Sequence, residues 1–263
     1  MKKLLALGLL TSTIVLSGCE AIEQLEIEDL TQLVTPPVVE DADVVDAPSA
    51  EDVASAEGVP SAEDLPLGED YIEINNNIPY FTNEELEVDE AFMDFSTLDY
   101  LGRAGEANAL LDEELMPPEQ FERGGLGHIT PSGWNQNQRG DAVSDIVPGG
   151  WLYNRSHLIG HQMGGEETDV AENLIAGTRQ FNMNMLPFEN FVANAVENGT
   201  QVRYRVTPVY DGDNLLSHGV VMEGFSLDEV GELGDELTFN IFIPNEQDGI
   251  TLDYSDGSWS VDE

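Results

Sequence analysis

The sequence predicts an α+β domain with a central antiparallel sheet flanked by helices. "TQVRYRVTPVY" alternates with period two, placing Val202, Tyr204 and Val206 on one face and Arg203 and Arg205 on the other. "SHGVVMEGFSL" and "LTFNIFIPN" follow a "DGDN" turn with the β-branched and aromatic composition of strands. Between residues 187 and 199, Phe188, Phe191, Val192, Ala195 and Val196 supply the apolar face of a helix.

The elements run in order from Tyr71. "YIEINNNIPYF" reads as a strand and then turn residues. "FTNEELEVDEAF" and "GEANALLDEELM" have the composition of helices, and "PSGW" at Pro131–Trp134 reads as a turn. Residues 152–182 combine a strand end, a Gly-rich loop and a helix start. Pro187 suits the first position of the following helix, Glu189 suits its positive end, and Gly199 stops it. Arg203 and Arg205 then form either a phosphate-facing pair or a solvated strand face. "ITLDY" is the last expected strand.

Upstream of the domain the chain changes character. Lys2 and Lys3 precede the apolar run "LLALGLLTSTIVL", which is too short for a typical membrane span and reads as an export signal. The run ends in "LSGC", similar to the lipobox of bacterial lipoproteins, so residues 1–18 are expected to be a signal peptide and Cys19 the lipidated residue. Cys19 is the only cysteine, and the exported domain folds without disulfides. Residues 19–69 contain the loosely repeated "PSAED" at Pro48–Asp52 and Pro60–Asp64 and no basic side chain. Such composition cannot offset the entropy of ordering, so this stretch is expected to be an acidic disordered tether. The domain is expected to occupy residues 70–263.

Charge sets a puzzle. The chain carries 52 Asp and Glu against 9 Lys and Arg, a formal net charge of −43. Like charges repel, which speaks against a nucleic-acid or anionic-membrane partner. The same acidity suits a salty medium, where self-repulsion is screened. Against this background, residues 152–182 gather two of the four histidines together with Arg155, Arg179 and several asparagines. An imidazole that takes a proton, a neutral oxygen ligand for a hard cation and guanidiniums for phosphates are the parts that phosphodiester hydrolysis needs.

At these residues the sequence resembles the DNA/RNA non-specific endonucleases of the ββα-metal, or His-Me finger, superfamily, in their DNA-entry and secreted streptococcal-type branch. "NNIPYF", "STLDYLGRAGEANALLDEELMP", "NRSHLIGHQMGG", "ENLIAGTRQFNMNMLPFEN", "VRYRVTPVY" and "FNIFIPNEQDGITLDYSDG" carry the resemblance, which spans about residues 70–258. It implies a ββα-metal nuclease fold. It implies His157 as general base and Asn173 as ligand of a single catalytic Mg²⁺, with Mn²⁺ as the alternative ion. Arg155 and Arg179 take catalytic or phosphate-contacting roles, and Asn154, Asn182 and Glu189 support the site. Where the family signature often has Asp and Gly, this chain has Asn154 and Ser156.

His161 completes H-x-x-x-H with His157, but "HLIGH" lacks a glutamate at its second position and Gly160 disfavours a helix, so no zinc site is expected. His128 and His218 are expected to be structural. The expected function is thus an extracytoplasmic, Mg²⁺-dependent endonuclease, membrane-anchored or else secreted, acting on DNA, with RNA left open. The alternative is a catalytically inactive surface lipoprotein that binds nucleic acid or cations.

Overall fold

The computed structural model describes residues 60–262, apart from residues 66, 119–123, 136–140, 148 and 228–232. The expected signal peptide, Cys19 and residues 19–59 of the expected tether lie outside the described residues.

Ten strands are described: β1 (Ile72–Glu73), β2 (Phe92–Phe95), β3 (Ala107–Leu111), β4 (Tyr153–His157), β5 (Leu174–Thr178), β6 (Gln201–Val209), β7 (Gly219–Leu227), β8 (Leu233–Pro244), β9 (Ile250–Asp253) and β10 (Ser258–Val261). The helices are α1 (Asn83–Leu86), α2 (Asp141–Ser144), α3 (His161–Gly164) and α4 (Arg179–Glu197). Six strands form one antiparallel sheet in the order β1-β8-β7-β6-β3-β2. Two hairpins, β4–β5 and β9–β10, stand apart from it.

Period two along β6 builds the main core. Val202, Tyr204 and Val206 are fully buried and meet Ala107, Ala109 and Leu111 of β3 and Val220 and Met222 of β7. Onto this face α4 lays Phe181, Met185, Val192 and Val196. Each such side chain contributes about 1.5–3 kcal/mol on leaving water. The hairpin β4–β5 adds Leu158, just beyond β4, and Ile175 to the same core.

The other face of the sheet is covered as well, and this corrects two expectations. The first concerns Arg203 and Arg205, which are neither phosphate-facing nor solvated. They are 1% and 6% exposed, because Phe81 and the one-turn helix α1 lie over them. Arg205 donates to Glu223 at 2.7 Å and to Glu85 at 2.8 Å, and Arg203 donates to Ala109 O and Asn108 Oδ1. Both guanidiniums stack near the Phe81 ring, at 5.1 and 4.6 Å. The helix that brings Glu85 here is set by a reciprocal cap between Thr82 and Glu85.

The second concerns where the packed domain begins. Residues 62–64 form a 3₁₀ turn, and Leu65 is buried against Ile74, Val209, Val221 and Phe242. His218 Nε2 lies 2.5 Å from Leu65 O, and Gly68 N–H donates to Glu246. Apolar burial and backbone pairing therefore reach upstream of residue 70. His218, stacked on Phe242, is structural as expected.

Two helix assignments also change. Within "GEANALLDEELM" the residues Ala107–Leu111 form β3 and the rest is turn or irregular chain, because pairing on both edges with β2 and β6 overrides the helix preference of Ala and Leu. Pro187 does not open α4 but sits inside it. The helix starts at Arg179 behind the N-cap Thr178, whose Oγ1 accepts from Phe181 N–H at 3.0 Å. Pro187 forgoes one backbone hydrogen bond on the exposed side, and Gly199, with φ of +87°, ends the helix as expected. "SWSV" pairs with the expected "ITLDY" strand as β10.

Candidate active site

The β4–β5 hairpin runs directly into α4, giving a ββα unit. Its strands pair Asn154 with Gly177, Arg155 with Ala176 and His157 with Leu174. Gly177 permits this packing, since a Cβ there would collide with Ser156 Oγ and the Phe181 ring. Asn245 pins the junction by accepting from Thr178 N–H and donating to Ala176 O.

His157 ends β4 with a side chain only 6% exposed. Its Nε2 lies 2.9 Å from Asp169 Oδ1. The same oxygen lies 3.2 Å from His161 Nδ1, at the start of α3. Burial pushes the Asp169 carboxyl up, but the hydrogen bonds to His157 and His161 outweigh it and hold the group below its ordinary range. Asp169 is thus an ionised carboxylate, an acceptor facing both imidazoles.

Asn173 is placed differently from its expected role. It is fully buried. Its Oδ1 accepts from Ile159 N–H at 2.9 Å, and its Nδ2 donates to Ile159 O and to Thr168 O, each at 2.9 Å. The carboxamide brackets the loop that leaves His157 and returns at Asp169. Fully buried within this bracket, the Asn173 oxygen is shut off from a hydrated ion, which speaks against Asn173 as the metal ligand.

Asn182 is in the better position. It stands in the first turn of α4, partly exposed, and its Oδ1 accepts from Ser156 Oγ at 2.9 Å. That bond ties it to the residue preceding His157 and leaves the oxygen a second lone pair. Two turns further along the same face of the helix, Glu189 is 9% exposed and accepts from Gln162 Nε2 at 3.3 Å. It also neighbours the Tyr204 hydroxyl, which burial and then the Glu189 charge push well above its ordinary range.

The arginines divide. Arg179 is exposed at the start of α4. Arg155 is half-buried, donates from Nε to Ile129 O at 2.5 Å and lies 4.2 Å over the Trp134 ring. It anchors the strand from which His157 projects. Asn154 is half-buried on the same strand. His128 is exposed, its Nδ1 3.2 Å from Gly125 O, away from this cluster of contacts.

Sequence reasoning missed Asp169 and set His161 aside. Asp169 is one carboxylate among 52 acidic residues, and its signal was only its place in a Gly-rich loop twelve residues after His157.

Comparison with known proteins agrees with this unit. NucA from Streptococcus agalactiae, solved with a magnesium ion bound, superposes with a TM-score of 0.61 at 26% identity, over 77% of this chain and 92% of that one. The Sda1 nuclease, solved with a bound zinc ion, matches with a TM-score of 0.50 at 25% identity, over 64% of this chain and 81% of that one. An extracellular endonuclease at 18% identity and a TM-score of 0.50, covering 72% of this chain and 96% of that one, shares the fold. Residues 82–226 match the family model described as DNA/RNA non-specific endonuclease, and this stretch holds the whole ββα unit. The chain therefore belongs to the DNA/RNA non-specific endonucleases, metal-dependent hydrolases of nucleic acid.

Proposed function

We propose that the protein is a Mg²⁺-dependent, sequence-non-specific endonuclease of DNA, acting outside the cytoplasmic membrane and tethered there by lipid on Cys19. The observation that carries the chemistry is His157 at the end of β4, backed by the Asp169 carboxylate and joined through Ser156 to Asn182 on α4. RNA cleavage by the same site belongs to this reading, because both polymers present the same phosphodiester to His157.

In this reading His157 accepts a proton from water as the water oxygen attacks phosphorus, and the 3′-oxygen leaves with the bond it held. The product carries a 5′-phosphate. Asp169 stabilises the imidazolium formed in that step. Arg179, exposed at the positive end of α4, holds a phosphate oxygen of the bound strand. Arg155 positions the strand that bears His157, while Asn154 and Glu189 support it.

The donor set fits a hard cation that keeps several waters and takes few protein oxygens. Asn182 supplies a neutral oxygen, with Glu189 on the same helix face as the nearby carboxylate. When bound, Mg²⁺ or Mn²⁺ supplies charge stabilisation at the phosphate and the leaving oxygen. Among the described residues no helix is long and apolar enough to cross a membrane. Attachment then rests on the export signal and Cys19.

The test is plasmid nicking by the purified protein in Mg²⁺ and in EDTA, with His157→Ala beside it. Cleavage that persists in EDTA, or in the variant, would remove this mechanism. Growth with labelled palmitate, compared between wild type and Cys19→Ser, tests the anchor.

A further inference from the structure

We infer that His157, His161 and Asp169 form a second metal site, of the Zn²⁺ class, whose occupation switches the nuclease off. The switching half rests on His157 being the general base. The site itself does not.

The three donor atoms, one from each residue, all lie within 4.8 Å of one another. Asp169 Oδ1 is 2.9 Å from His157 Nε2 and 3.2 Å from His161 Nδ1. Ligands about 2.1 Å from a tetrahedral ion sit roughly 3.4 Å apart, so the carboxylate need only open from each imidazole by a few tenths of an ångström, while the two imidazole nitrogens, within 4.8 Å, close towards that spacing by side-chain rotation. The side chains are 6%, 13% and 13% exposed, so the ligands are shielded yet reachable. Two imidazoles and one carboxylate suit Zn²⁺ and its analogues, whereas Mg²⁺ takes oxygen ligands. Three protein ligands leave a fourth position for water.

The backbone around the site is braced. His157 ends a strand, and His161 opens α3 four residues later. Asp169 follows the 3₁₀ turn Gly165–Thr168, held by Thr168 Oγ1 donating to Gly165 O. The Asn173 carboxamide grips Ile159, between the two histidines, and Thr168, next to the aspartate. One side chain thus fixes both halves of the ligand set, which reduces the ordering cost of binding. The arrangement is not the helical H-E-x-x-H pattern, since the third ligand comes from a loop.

A metal held at His157 Nε2 leaves the ring's one proton on Nδ1, the nitrogen turned away from Asp169, so the ring cannot take a second proton from water. Zn²⁺ should therefore stop cleavage even at saturating Mg²⁺. Added Mg²⁺ should not relieve the block, because it uses other donors, whereas a chelator should.

The experiment uses Co²⁺ and Zn²⁺ on the full chain in excess Mg²⁺, which occupies the acidic surface. Wild type should bind one Co²⁺ with the intense visible absorption of a tetrahedral, nitrogen-ligated ion, displaced by Zn²⁺. Zn²⁺ should inhibit plasmid nicking at the same stoichiometry. His161→Gln should keep Mg²⁺-dependent nicking while losing the absorption. Its inhibition by Zn²⁺ should weaken at least about tenfold, since even outer-shell losses typically cost 10–100-fold in metal affinity. Absence of the Co²⁺ spectrum in wild type, or its persistence in His161→Gln, overturns the site. Stoichiometric Zn²⁺ binding without inhibition overturns the switch. A protein that binds Co²⁺ in this way yet never cleaves DNA would leave the site standing and overturn both the switch and the nuclease reading.

Discussion

The carboxamide of Asn173 closes on the backbone of Ile159 from both its ends, accepting from the Ile159 N–H and donating to the Ile159 carbonyl, each at 2.9 Å. This makes Asn173 a bracket, and in the proposed reading the neutral oxygen offered to the metal is that of Asn182. Asn173→Ala should lower stability by on the order of 3 kcal/mol, since buried backbone groups at Ile159 and Thr168 lose their partners. Its folded fraction should keep the wild-type Mg²⁺ midpoint. Asn182→Ala should do the reverse, with a nearly unchanged melting curve and a sharply raised Mg²⁺ requirement. Thermal melts and Mg²⁺ titrations on both variants check the pair of outcomes.

His157→Ala should reduce cleavage by roughly 10²–10⁴-fold through loss of the general base alone. The fold should survive, because Leu158 and Ile159, not the imidazole, fill the core there. Imidazole added to His157→Gly should restore part of the rate. Near-wild-type nicking by either unsupplemented variant would take His157 out of the mechanism.

Arg205→Met should destabilise the protein by about 3–5 kcal/mol, because the Glu223 carboxylate is left buried without its cation. Adding Glu223→Gln to that variant should recover most of the loss in urea unfolding. Neither change should alter the salt dependence of DNA binding, since this arginine lies under Phe81 rather than on the surface.

These cases show what the chain reveals locally and what it does not. Alternation exposed β6, and turn chemistry exposed "PSGW" and the stop at Gly199, because each is decided within a few residues. Nothing local to "VRYR" says that a second layer from residues 60–95 covers the outer face of the sheet. That layer turns two apparently surface arginines into core cations. "ANALL" has the composition of a helix, and only pairing with β2 and β6 makes it a strand. At the site, His157 was legible through its neighbours, whereas the division of labour between Asn173 and Asn182 depends on which faces Ile159 and which faces Ser156. Asp169 becomes visible only when the loop folds back.

Glu106 offers a check on the buried charge cluster from the pH side. Burial raises its pKa, outweighing the attraction of Arg205 3.8 Å away. A folded-state pKa above the unfolded one means that the native state holds the proton more tightly. Stability from this group is therefore fully present below the ordinary carboxylate pKa of about 4.3 and is lost as pH rises through the raised value. Glu106→Gln should then be more stable than wild type at pH 7, with the difference closing near pH 4. Melting curves at the two pH values show whether it does. A variant less stable than wild type at pH 7 would mean that the attraction of Arg205 exceeds the burial cost.

Salt provides the last prediction, and the distribution of arginines sharpens it. A protein that binds nucleic acid ordinarily loses affinity as salt rises, with a logarithmic slope of about −0.9 for each phosphate neutralised. Here Arg103 is paired with Asp99, Arg155 is clamped over Trp134, and Arg203 and Arg205 are buried, which leaves Arg179 exposed beside the site. Among the described residues, then, the local term rests on few phosphates and its slope should be shallow. Opposing it is repulsion between a chain of net charge −43 and a polyanion. That repulsion reaches about 30 Å at 0.01 M salt and roughly 3 Å at 1 M. Self-repulsion among the carboxylates of the fold relaxes over the same range. Cleavage rate and melting temperature should both rise as NaCl goes from about 10 mM to several hundred mM, the interval over which the screening length collapses. The measurement is initial rate against NaCl at fixed saturating Mg²⁺, with melts recorded in the same buffers. A rate that falls steadily from the lowest salt, while the melting temperature rises, would show that contacts to phosphate dominate binding and that the acidity serves stability alone.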